Sequence, residues 1–403
     1  MMAARVSVGL FVASIEEQGG IVKMPEPKFA RMLSEAATRL GMDLFVFSPA
    51  QYEERSGQLS GFRFRNGSWM KETCQLPDIL YDRCFYRNAE EKSRCRALRA
   101  VIKERQPAIP LNGNLPGKWE VYNALRQDYL LAPLLPQTIR LDRLDRIRQL
   151  FKDGSRDIFL KPSAGMQGKG AIHLKQCPLT KEWTAAGRTR SNTPFRHQFG
   201  DYATLASWAQ RFLAVSSYIA QPYLPLTDTH GHPFDLRVLV QKNGNGRWTI
   251  TGTAIRTGRS DSITSNLHGG GTATRATEYL VSKYGSAKAE QMMNKIHHAS
   301  LHASEKLESF YGRLAELGID FGIEQSGTVW LLEVNSRPGR SSFEQSGDRM
   351  AEQLSIEQPL KYARLLAQRI RKPLITNDSA TGRIYSSRLD KKIRSDNVQE
   401  VHP

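Results

Sequence analysis

The chain has 403 residues, of which 40% are hydrophobic and 24% are charged. These fractions are ordinary for a globular protein, and a chain of this length is too long for one compact core, so two or three domains are expected. No apolar run approaches the length of a membrane span. The N-terminus has one early Arg and no small-residue cleavage site, so a secretory signal is not expected.

The formal net charge is +17, and the excess is largest in residues 118–230, where 16 Lys and Arg oppose 9 Asp and Glu. No segment is a dense basic run with interleaved aromatic residues, so nucleic acid is not expected as a partner. A phosphate-bearing small molecule or an acidic polymer explains the charge equally well. The four cysteines lack CxxC spacing and nearby His partners, which argues against zinc and suits a reducing cytosol.

The first part of the chain alternates predicted strands and helices. Strands are expected at residues 6–13, 44–47 and 77–81, a hairpin at 62–71, and helices at 27–40 and 89–104. This alternation predicts a small, mainly parallel sheet. Gly and Pro then interrupt the chain at residues 113–117, which marks a domain boundary. Lys118 begins the next helix, where a cation opposes the helix dipole and hints at a bound anion. A surface Lys explains this position better on the sequence alone.

Residues 157–174 read DIFLKPSAGMQGKGAIHL, a predicted strand that delivers Lys161, a glycine-rich loop and a second strand. The glycines of this loop are Gly165, Gly168 and Gly170. A loop of this kind can place its backbone N–H groups over phosphates. It is not a Walker A loop, because a Gly follows Lys169 and a strand follows the loop. A flexible hairpin without a ligand is the alternative, and the Lys before the loop favours phosphate binding.

The middle of the chain is predicted to be a polar, exposed excursion at residues 178–199 and a helix at 202–213. Strands are expected at 217–224, 234–241 and 248–256. Asp235 and Arg237 share a face of the second of these strands. A second glycine-rich loop, SNLHGGGTA, places His268 beside three glycines, which let backbone approach a ligand. A loop His is, however, usually only solvated.

Residues 318–339 read GIDFGIEQSGTVWLLEVNSRPG and predict a β-hairpin. Asp320 opens the first strand, and Glu333 and Asn335 close the second on one face. Paired strands would bring these three oxygen ligands together, and such a set suits Mg²⁺. Arg337 takes the next position on that face, where a phosphate would need a cation. Solvated residues at a hairpin end are the alternative.

Helices are expected on both sides of this hairpin. They are predicted at residues 278–284, 290–317 and 351–370. Residues 373–403 are polar, without a periodic apolar face, and are predicted to be a disordered tail.

These motifs, in this order, resemble the ATP-grasp superfamily of carboxylate–amine ligases over roughly residues 5–370. The resemblance implies a mixed α+β and α/β architecture, with an N-terminal α/β domain at residues 1–115. An ATP-grasp domain would follow at 116–372, with two α+β subdomains, at about 116–225 and 226–372, that grip ATP. The opening VGLF and the segments LPDILYDR and LNGNLPGKWEVYNAL resemble the YheC/YheD-type endospore coat-associated group.

The resemblance also implies site residues. Lys118 and Lys161 would bind phosphates beneath a mobile lid at 163–170. Residues 221–224 would contact adenine through backbone groups, although Gln221 replaces the commoner Glu. The implied nucleotide-binding residues are Lys118, Lys161, Ser163, Gly165, Gly168, Gly170, Gln221, Tyr223, Leu224 and, for the ribose, Asp228. The implied ligands of Mg²⁺ or Mn²⁺ are Asp320, Glu333 and Asn335.

The implied catalytic residues are Lys161, Arg256 and Arg337. The implied substrate-binding residues are Asp235, Arg237, Asn266, His268 and Gly269, which resemble those of a subgroup that ligates glutamate to peptide or protein acceptors. In the implied reaction ATP converts a carboxylate to an acyl-phosphate, an amine displaces phosphate, and the lid excludes water. The cationic side chains that favour an acidic amino-acid, peptide or protein substrate are Arg188, Arg190, Arg196, Arg256 and His268. Spore-coat proteins are implied as partners, in the cytoplasm of the mother cell and at the spore-coat surface.

Three alternatives compete with an active ligase. A non-catalytic spore-coat protein with the same fold should have lost some site residues, yet nearly every expected ATP and metal position carries a competent side chain. A nucleic-acid-binding protein should have a dense basic face, whereas the charge here is spread. The sequence does not exclude a kinase that stops at phosphoryl transfer, because it does not identify the residues that would bind the acceptor.

Overall fold

The computed structural model of the protein describes residues 5–105, 108–143, 145–152, 157–165, 168–214, 216–259, 265 and 270–371. The described chain forms three large β-sheets with helices packed on them. Within these ranges, no helix has the length and apolar character needed to cross a membrane. The predicted tail at 373–403 lies outside the described residues.

The first part of the chain forms an α/β unit. Its strands are β1 (Ser7–Phe11), β2 (Glu16–Gln18), β3 (Ile21–Lys23), β4 (Asp43–Phe47), β5 (Leu59–Arg65), β6 (Ser68–Cys74), β7 (Ile79–Asp82) and β8 (Ile109–Pro110). Its helices are α1 (Pro27–Arg39) and α2 (Ala89–Arg105). The sheet order is β6-β5-β4-β1-β7-β8, and β4, β1, β7 and β8 are parallel neighbours. The mainly parallel sheet therefore agrees with the prediction.

Helices cover both faces of this first sheet. Val8 and Leu10 share a buried cluster with the apolar side of α1, whereas Phe11 and Phe47 pack in another cluster with Leu98 of α2. Parallel strands buried on both faces require near-continuous apolar runs. This requirement explains why β1 and β4 are buried at every position after the first.

The second sheet is antiparallel. Its elements, with the helix that precedes it, are α3 (Lys118–Leu125), β9 (Ile139–Leu141), α4 (Asp145–Lys152), β10 (Asp157–Pro162), β11 (Ile172–Gln176), β12 (Trp183–Arg188), β13 (Pro194–Phe199), α5 (Tyr202–Leu213) and β14 (Tyr218–Pro222). The strand order is β13-β12-β11-β10-β14-β9. All of these strands pair antiparallel with their neighbours.

The prediction of an excursion at 178–199 is wrong, because β12 and β13 complete this sheet, whereas the predicted exposure holds for four of the six residues of β13. In β12, Trp183, Ala185 and Gly187 point inward and alternate with half-buried residues. In β13, Phe195 packs on Trp208 of α5. Three polar residues separate Phe195 from Phe199, and β13 is an edge strand, so polar side chains dominate this part of the segment.

The third sheet is also antiparallel and contains the predicted hairpin. Its elements are β15 (Phe234–Lys242), β16 (Trp248–Thr257), β17 (Thr272–Arg275), α6 (Ala276–Tyr284), α7 (Ser286–Tyr311), β18 (Glu316–Ile323), β19 (Val329–Asn335), α8 (Ser341–Gln345) and α9 (Arg349–Arg371). The order is β17-β16-β15-β18-β19, and every residue of β15 and β18 is buried. The helix predicted at 290–317 is too long at its C-terminal end. Gly312, with φ of 78°, ends α7, and Glu316 already belongs to β18.

Two helices pack outside the unit that sequence order suggests. The apolar side of α3 joins the core of the third sheet, with Val121 and Leu125 in the same cluster as residues of α7. Leu360 and Ala363 of α9 join the cluster of the first sheet and α1. Helix α9 therefore ties the third sheet to the first, and α3 ties the start of the second unit to the third sheet.

A buried polar network reinforces this junction. Glu316 and Arg83 are each only 1% exposed, and their side chains form an ion pair at 3.3 Å. The other Glu316 carboxylate oxygen pairs with Arg340 at 2.5 Å, and the Tyr81 hydroxyl donates to Glu316 at 2.7 Å. Arg83 also donates to the carbonyl oxygen of Pro338. The network thus anchors the loop that follows β19.

Candidate active site

A cleft of about 170 Å³ lies between the second and third sheets. Residues of β10, the glycine loop and β14 line one side, and residues of β15, β16, β18 and β19 line the other. The cleft brings together eleven of the predicted site residues, namely Lys118, Lys161, Gly165, Gly168, Gln221, Tyr223, Leu224, Asp235, Arg256, Asp320 and Glu333.

Two lysines and a carboxylate converge in this cleft. The Nζ atom of Lys118 lies 3.6 Å from a carboxylate oxygen of Glu333 and donates to the carbonyl oxygen of Gly165 at 2.8 Å. Lys161 Nζ donates to the carbonyl oxygen of Leu332 at 3.1 Å. One carboxylate facing two ammonium groups leaves a surplus positive charge, which favours an anionic ligand.

The pKa values of this cluster show the same balance. Burial lowers the pKa of Lys161 to about 8; Glu333 opposes this shift and Lys118 adds to it. Burial raises the pKa of Glu333, but Lys118 and Lys161 outweigh burial and hold it at about 2. Glu333 is therefore ionised at neutral pH, and Lys161 is close enough to its titration point to respond to a bound charge.

The glycine loop holds its shape through left-handed backbone. Gly168 and Gly170 have φ values of 69° and 76°, which residues other than glycine rarely adopt. A Cβ atom on Gly170 would also lie 3.0 Å from Pro162 and from the Tyr218 hydroxyl. Gly170 does not line the cleft but closes the loop, because its carbonyl oxygen accepts from Tyr218 at 3.1 Å. Residues 166 and 167 of the predicted lid lie outside the described residues.

Apolar and aromatic side chains also line the cleft, with Phe159, Leu224 and Leu226 among them. The Tyr223 ring stacks on His173 with centroids 3.8 Å apart. Gln221 Nε2 donates to Thr138 Oγ1 at 2.7 Å, a partner that no local sequence signal identified. These surfaces suit a flat aromatic base beside polar groups.

Asp228, predicted to bind ribose, is not among the residues that line the cleft within the described chain. Its carboxylate accepts from the backbone N–H groups of His230 and His232, at 2.9 and 2.8 Å. It therefore stabilises its own turn.

The hairpin places the predicted metal ligands on neighbouring strands. Asp320 lies directly opposite Glu333 in the β18–β19 register, and Asn335 lies opposite Gly318. Asn335 Nδ2 donates to Glu333 at 2.9 Å. Among the described residues, no group of three or more His, Cys, Asp or Glu side chains is arranged as metal ligands. An ionised Glu333 with the Asn335 amide fits Mg²⁺, which needs only one or two carboxylates when phosphates complete its shell.

Asp320 is engaged differently, because it belongs to a buried charge quartet of two carboxylates and two guanidinium groups. The quartet consists of Asp235, Arg237, Arg256 and Asp320. Arg256 contacts Asp235 through two hydrogen bonds of 2.7 Å and lies 3.0 Å from Asp320, which also accepts from Arg237 at 3.0 Å. Burial raises the pKa of Asp320, and both arginines oppose this shift. The four charges balance, so the predicted metal and substrate roles of these residues would require the pairs to rearrange.

A second cavity, of about 500 Å³, adjoins the cleft. The residues that line both are Lys118, Lys161, Gly165, Gln221, Leu332 and Glu333. Ser163, Asn335 and Arg337 line this second cavity instead of the cleft. Arg337 Nη2 lies 3.2 Å from Asp82 and donates to Asn114 at 2.5 Å, so the first sheet contributes to this cavity.

The remaining predicted substrate residues lie elsewhere. Asn266, His268 and Gly269 are outside the described residues. Of the described residues, Arg188, Arg190 and Arg196 line neither cavity. Three further cationic residues that line the second cavity, Lys92, Arg96 and Arg99 of α2, were missed. Their spacing of four and then three residues on a predicted helix was the available signal.

Two antiparallel sheets around a cleft with converging lysines and a hairpin carboxylate, preceded by a parallel α/β sheet, define the ATP-grasp fold. The solved structure of D-cycloserine synthetase DcsG has this fold, with a TM-score of 0.52 and 15% identity over 90% of this chain and 99% of that chain. The sequence model of the family described as YheC/D like ATP-grasp matches residues 109–366, and the chain belongs to this family. The predictions of fold and family are confirmed.

Two relatives from Bacillus subtilis (strain 168) align over most of the chain. The endospore coat-associated protein YheD is 29% identical over 370 residues, which cover 90% of this chain and 79% of YheD. The endospore coat-associated protein YheC is 27% identical over 345 residues, which cover 85% of this chain and 93% of YheC.

Proposed function

We propose that this protein is an ATP-dependent carboxylate–amine ligase that forms an amide bond through an acyl-phosphate. The observation that carries the proposal is the convergence of Lys118, Lys161 and Glu333 where the two cavities meet. One cavity has apolar and aromatic lining residues that suit adenine. The other gives a second reactant access to the same lysines. A nucleotide-binding protein without a second substrate would not need that opening.

The reaction consists of two displacements. A carboxylate oxygen of the substrate attacks the γ-phosphorus of ATP, the bond to the β–γ bridging oxygen breaks, and ADP leaves. The amine nitrogen then attacks the acyl carbon, the carbon–oxygen bond to phosphate breaks, and the amine loses one proton. The products are an amide, ADP and inorganic phosphate.

The side chains of the cleft act mainly by position and charge. Lys118 and Lys161 would neutralise phosphate oxygens during both displacements, because phosphoryl transfer depends on positioning and electrostatic stabilisation. Glu333 and Asn335 would hold Mg²⁺, which supplies further neutralisation of phosphate charge when bound. The glycine loop would cover the phosphates and exclude water, which would otherwise hydrolyse the acyl-phosphate. Arg337, held by Asp82 and Asn114, would face the acyl-phosphate from the second cavity.

The finer assignments are also proposals. The carboxylate substrate would be an amino acid such as glutamate, and the acceptor a peptide or protein amine. The endospore coat-associated names of YheD and YheC support spore-coat proteins as partners, in the mother cell or at the coat surface. Residues 221–224 would contact adenine, with Gln221 held by Thr138. The ribose role of Asp228 would require its turn to open.

Thermal unfolding with and without MgATP tests the nucleotide site. A ligand that binds only the folded state stabilises it by about 2.7 kcal/mol at roughly 100 times its Kd. We expect MgATP to raise the melting temperature of the wild type and of Glu290→Ala, which removes an exposed carboxylate of α7, but not that of Glu333→Ala. No stabilisation of the wild type would refute the ligase proposal and favour a non-catalytic coat protein.

Product analysis then tests ligation. Amino acids are supplied with MgATP and hydroxylamine, whose nitrogen traps an acyl-phosphate as a hydroxamate and releases phosphate. We expect hydroxamate and ADP in equal amounts. Phosphorylated substrate that accumulates without hydroxamate would show a kinase that acts on another group. Because hydroxylamine also traps an acyl-phosphate released by a carboxylate kinase, the assay is repeated with an amino-acid amine in place of hydroxylamine, and an amide product then shows ligation.

A further inference from the structure

The second cavity is strongly cationic. Within the described chain, the charged side chains that line it are Lys92, Arg96, Arg99, Lys118, Lys161, Glu333 and Arg337. Six cations therefore face a single carboxylate in a partly enclosed space. Low-dielectric walls strengthen such a field, and it draws in anionic ligands.

Four of these cations already have partners. Arg99 and Arg337 both contact Asp82, at 2.7 and 3.2 Å. Lys118 and Lys161 lie at the junction with the cleft, beside Glu333. Lys92 and Arg96 differ, because their side chains are exposed and neither has a hydrogen bond or an ion pair with any residue that the structure describes. Two uncompensated charges thus line the part of the cavity formed by α2.

The position of these two charges is set by the fold. Lys92 and Arg96 are four residues apart on α2, so they lie on one face of the helix. Cys95, Leu98 and Ile102 of the same helix are buried in the core under the first sheet. Burial of that face fixes the orientation of α2, which holds the cationic face toward the cavity. Because both side chains are exposed to solvent, a ligand that enters the cavity can reach them.

We propose that Lys92 and Arg96 bind a second carboxylate of the substrate, while its reacting carboxylate lies at Lys118 and Lys161. The substrate is then a dicarboxylic amino acid, free or as a residue of a peptide. This inference rests on the proposed ligase function and adds the residues that select the substrate. Neither Lys92 nor Arg96 lines the nucleotide cleft, so the phosphates of ATP do not account for them.

The competing assignment is that arginines of the second sheet, and not Lys92 and Arg96, bind the second carboxylate of the substrate. Arg190 donates to the hydroxyl of Ser216 at 2.6 Å, and Arg188 donates to the side chain of Asn192 at 2.8 Å. Both arginines are thus used within their own sheet. Arg256, which does reach the cleft, is neutralised by Asp235 and Asp320. The side chains of α2 are better placed to recognise an acidic substrate.

The test uses the full chain with MgATP and hydroxylamine, and measures hydroxamate formation from L-glutamate, from L-glutamine and from the tripeptide Ala-Glu-Ala. We expect Arg96→Gln and Lys92→Gln each to raise the KM for the preferred dicarboxylate by about tenfold or more, as expected when a charge-assisted hydrogen bond is lost. Arg96→Lys, which keeps the charge, should recover part of this loss. Arg94→Gln is the matched control, because Arg94 lies on the same helix, pairs with Glu90 and does not line the cavity.

The outcomes separate the two proposals. A KM effect confined to the dicarboxylate, with unchanged stabilisation by MgATP, supports the inference, and the preferred probe identifies a free amino acid or a peptide residue. Equal KM values in wild type and both Gln variants would overturn it, as would turnover of L-glutamine equal to that of both acidic probes. Either result would leave the ligase proposal standing. Absence of MgATP binding in the wild type would defeat both.

Discussion

Replacing Glu333 with Gln should destabilise the folded protein by an amount that depends on pH. Gln keeps the size of the side chain and removes its charge. The pKa of Glu333 is about 2 in the folded protein, against an ordinary value of 4.5. A difference of about 2.5 pKa units corresponds to roughly 3 kcal/mol of stabilisation of the ionised carboxylate at neutral pH.

The sign of the pH dependence follows from the direction of this shift. Because the folded-state pKa lies below the unfolded-state value, the stabilisation is fully present above about pH 4.5 and is lost as the pH falls through about 2. Linkage predicts that the difference between wild type and Glu333→Gln decreases from about 3 kcal/mol near pH 7 to roughly 1.4 kcal/mol near pH 3.

Urea unfolding followed by tryptophan fluorescence at several pH values measures this difference. Glu290→Gln provides the control, because an exposed glutamate on α7 should change the free energy of unfolding by no more than about 0.5 kcal/mol. Equal stabilities of wild type and Glu333→Gln at neutral pH would refute the reasoning. A difference that persists unchanged in acid would also refute it, because the effect could not then arise from the ionised carboxylate.

Three further perturbations test other parts of the structure. Gly170→Ala forces a side chain onto left-handed backbone and should lower the free energy of unfolding by about 1–2 kcal/mol. Gly200→Ala is the control and should cost little, because a Cβ atom there meets open space. Equal losses in the two variants would contradict the backbone argument. Glu316→Gln leaves the guanidinium of Arg340 without its carboxylate and leaves Arg83 with Glu26 alone, and it should cost about 3–5 kcal/mol in urea unfolding. An unchanged midpoint would show that the network adds no stability. The Kd for MgATP should rise above about pH 8, where Lys161 loses the proton that a phosphate needs, because burial lowers its pKa to about 8. Lys161→Arg, which keeps its proton, should remove this dependence, and identical pH profiles in calorimetric titrations would contradict the role of Lys161.

The sequence alone predicted the elements whose signals are local. The hairpin that carries Asp320, Glu333 and Asn335 follows from two apolar runs and a glycine turn, and strand periodicity places the last two residues on one face. Lys161 and the glycine loop could be predicted for the same reason, because a strand and a run of glycines are local sequence signals. The order of these motifs indicated the fold and family. The division of the ATP-grasp domain near residue 225 stays a prediction.

Tertiary structure decided which charges meet. Asp235, Arg237, Arg256 and Asp320 form one neutral quartet only because three strands pair in a particular register. Arg337 contacts Asp82 because the first sheet packs against the third.

The same limit applies to α2 and to the edge of the second sheet. The helical spacing of Lys92 and Arg96 was visible, but not the cavity that their face lines. The polar residues of β12 and β13 concealed two strands whose aromatic side chains pack on α5. Local periodicity determines secondary structure within a few residues. The energy of a charge depends on its burial and on partners that can lie hundreds of residues away, so only the folded chain determines the site.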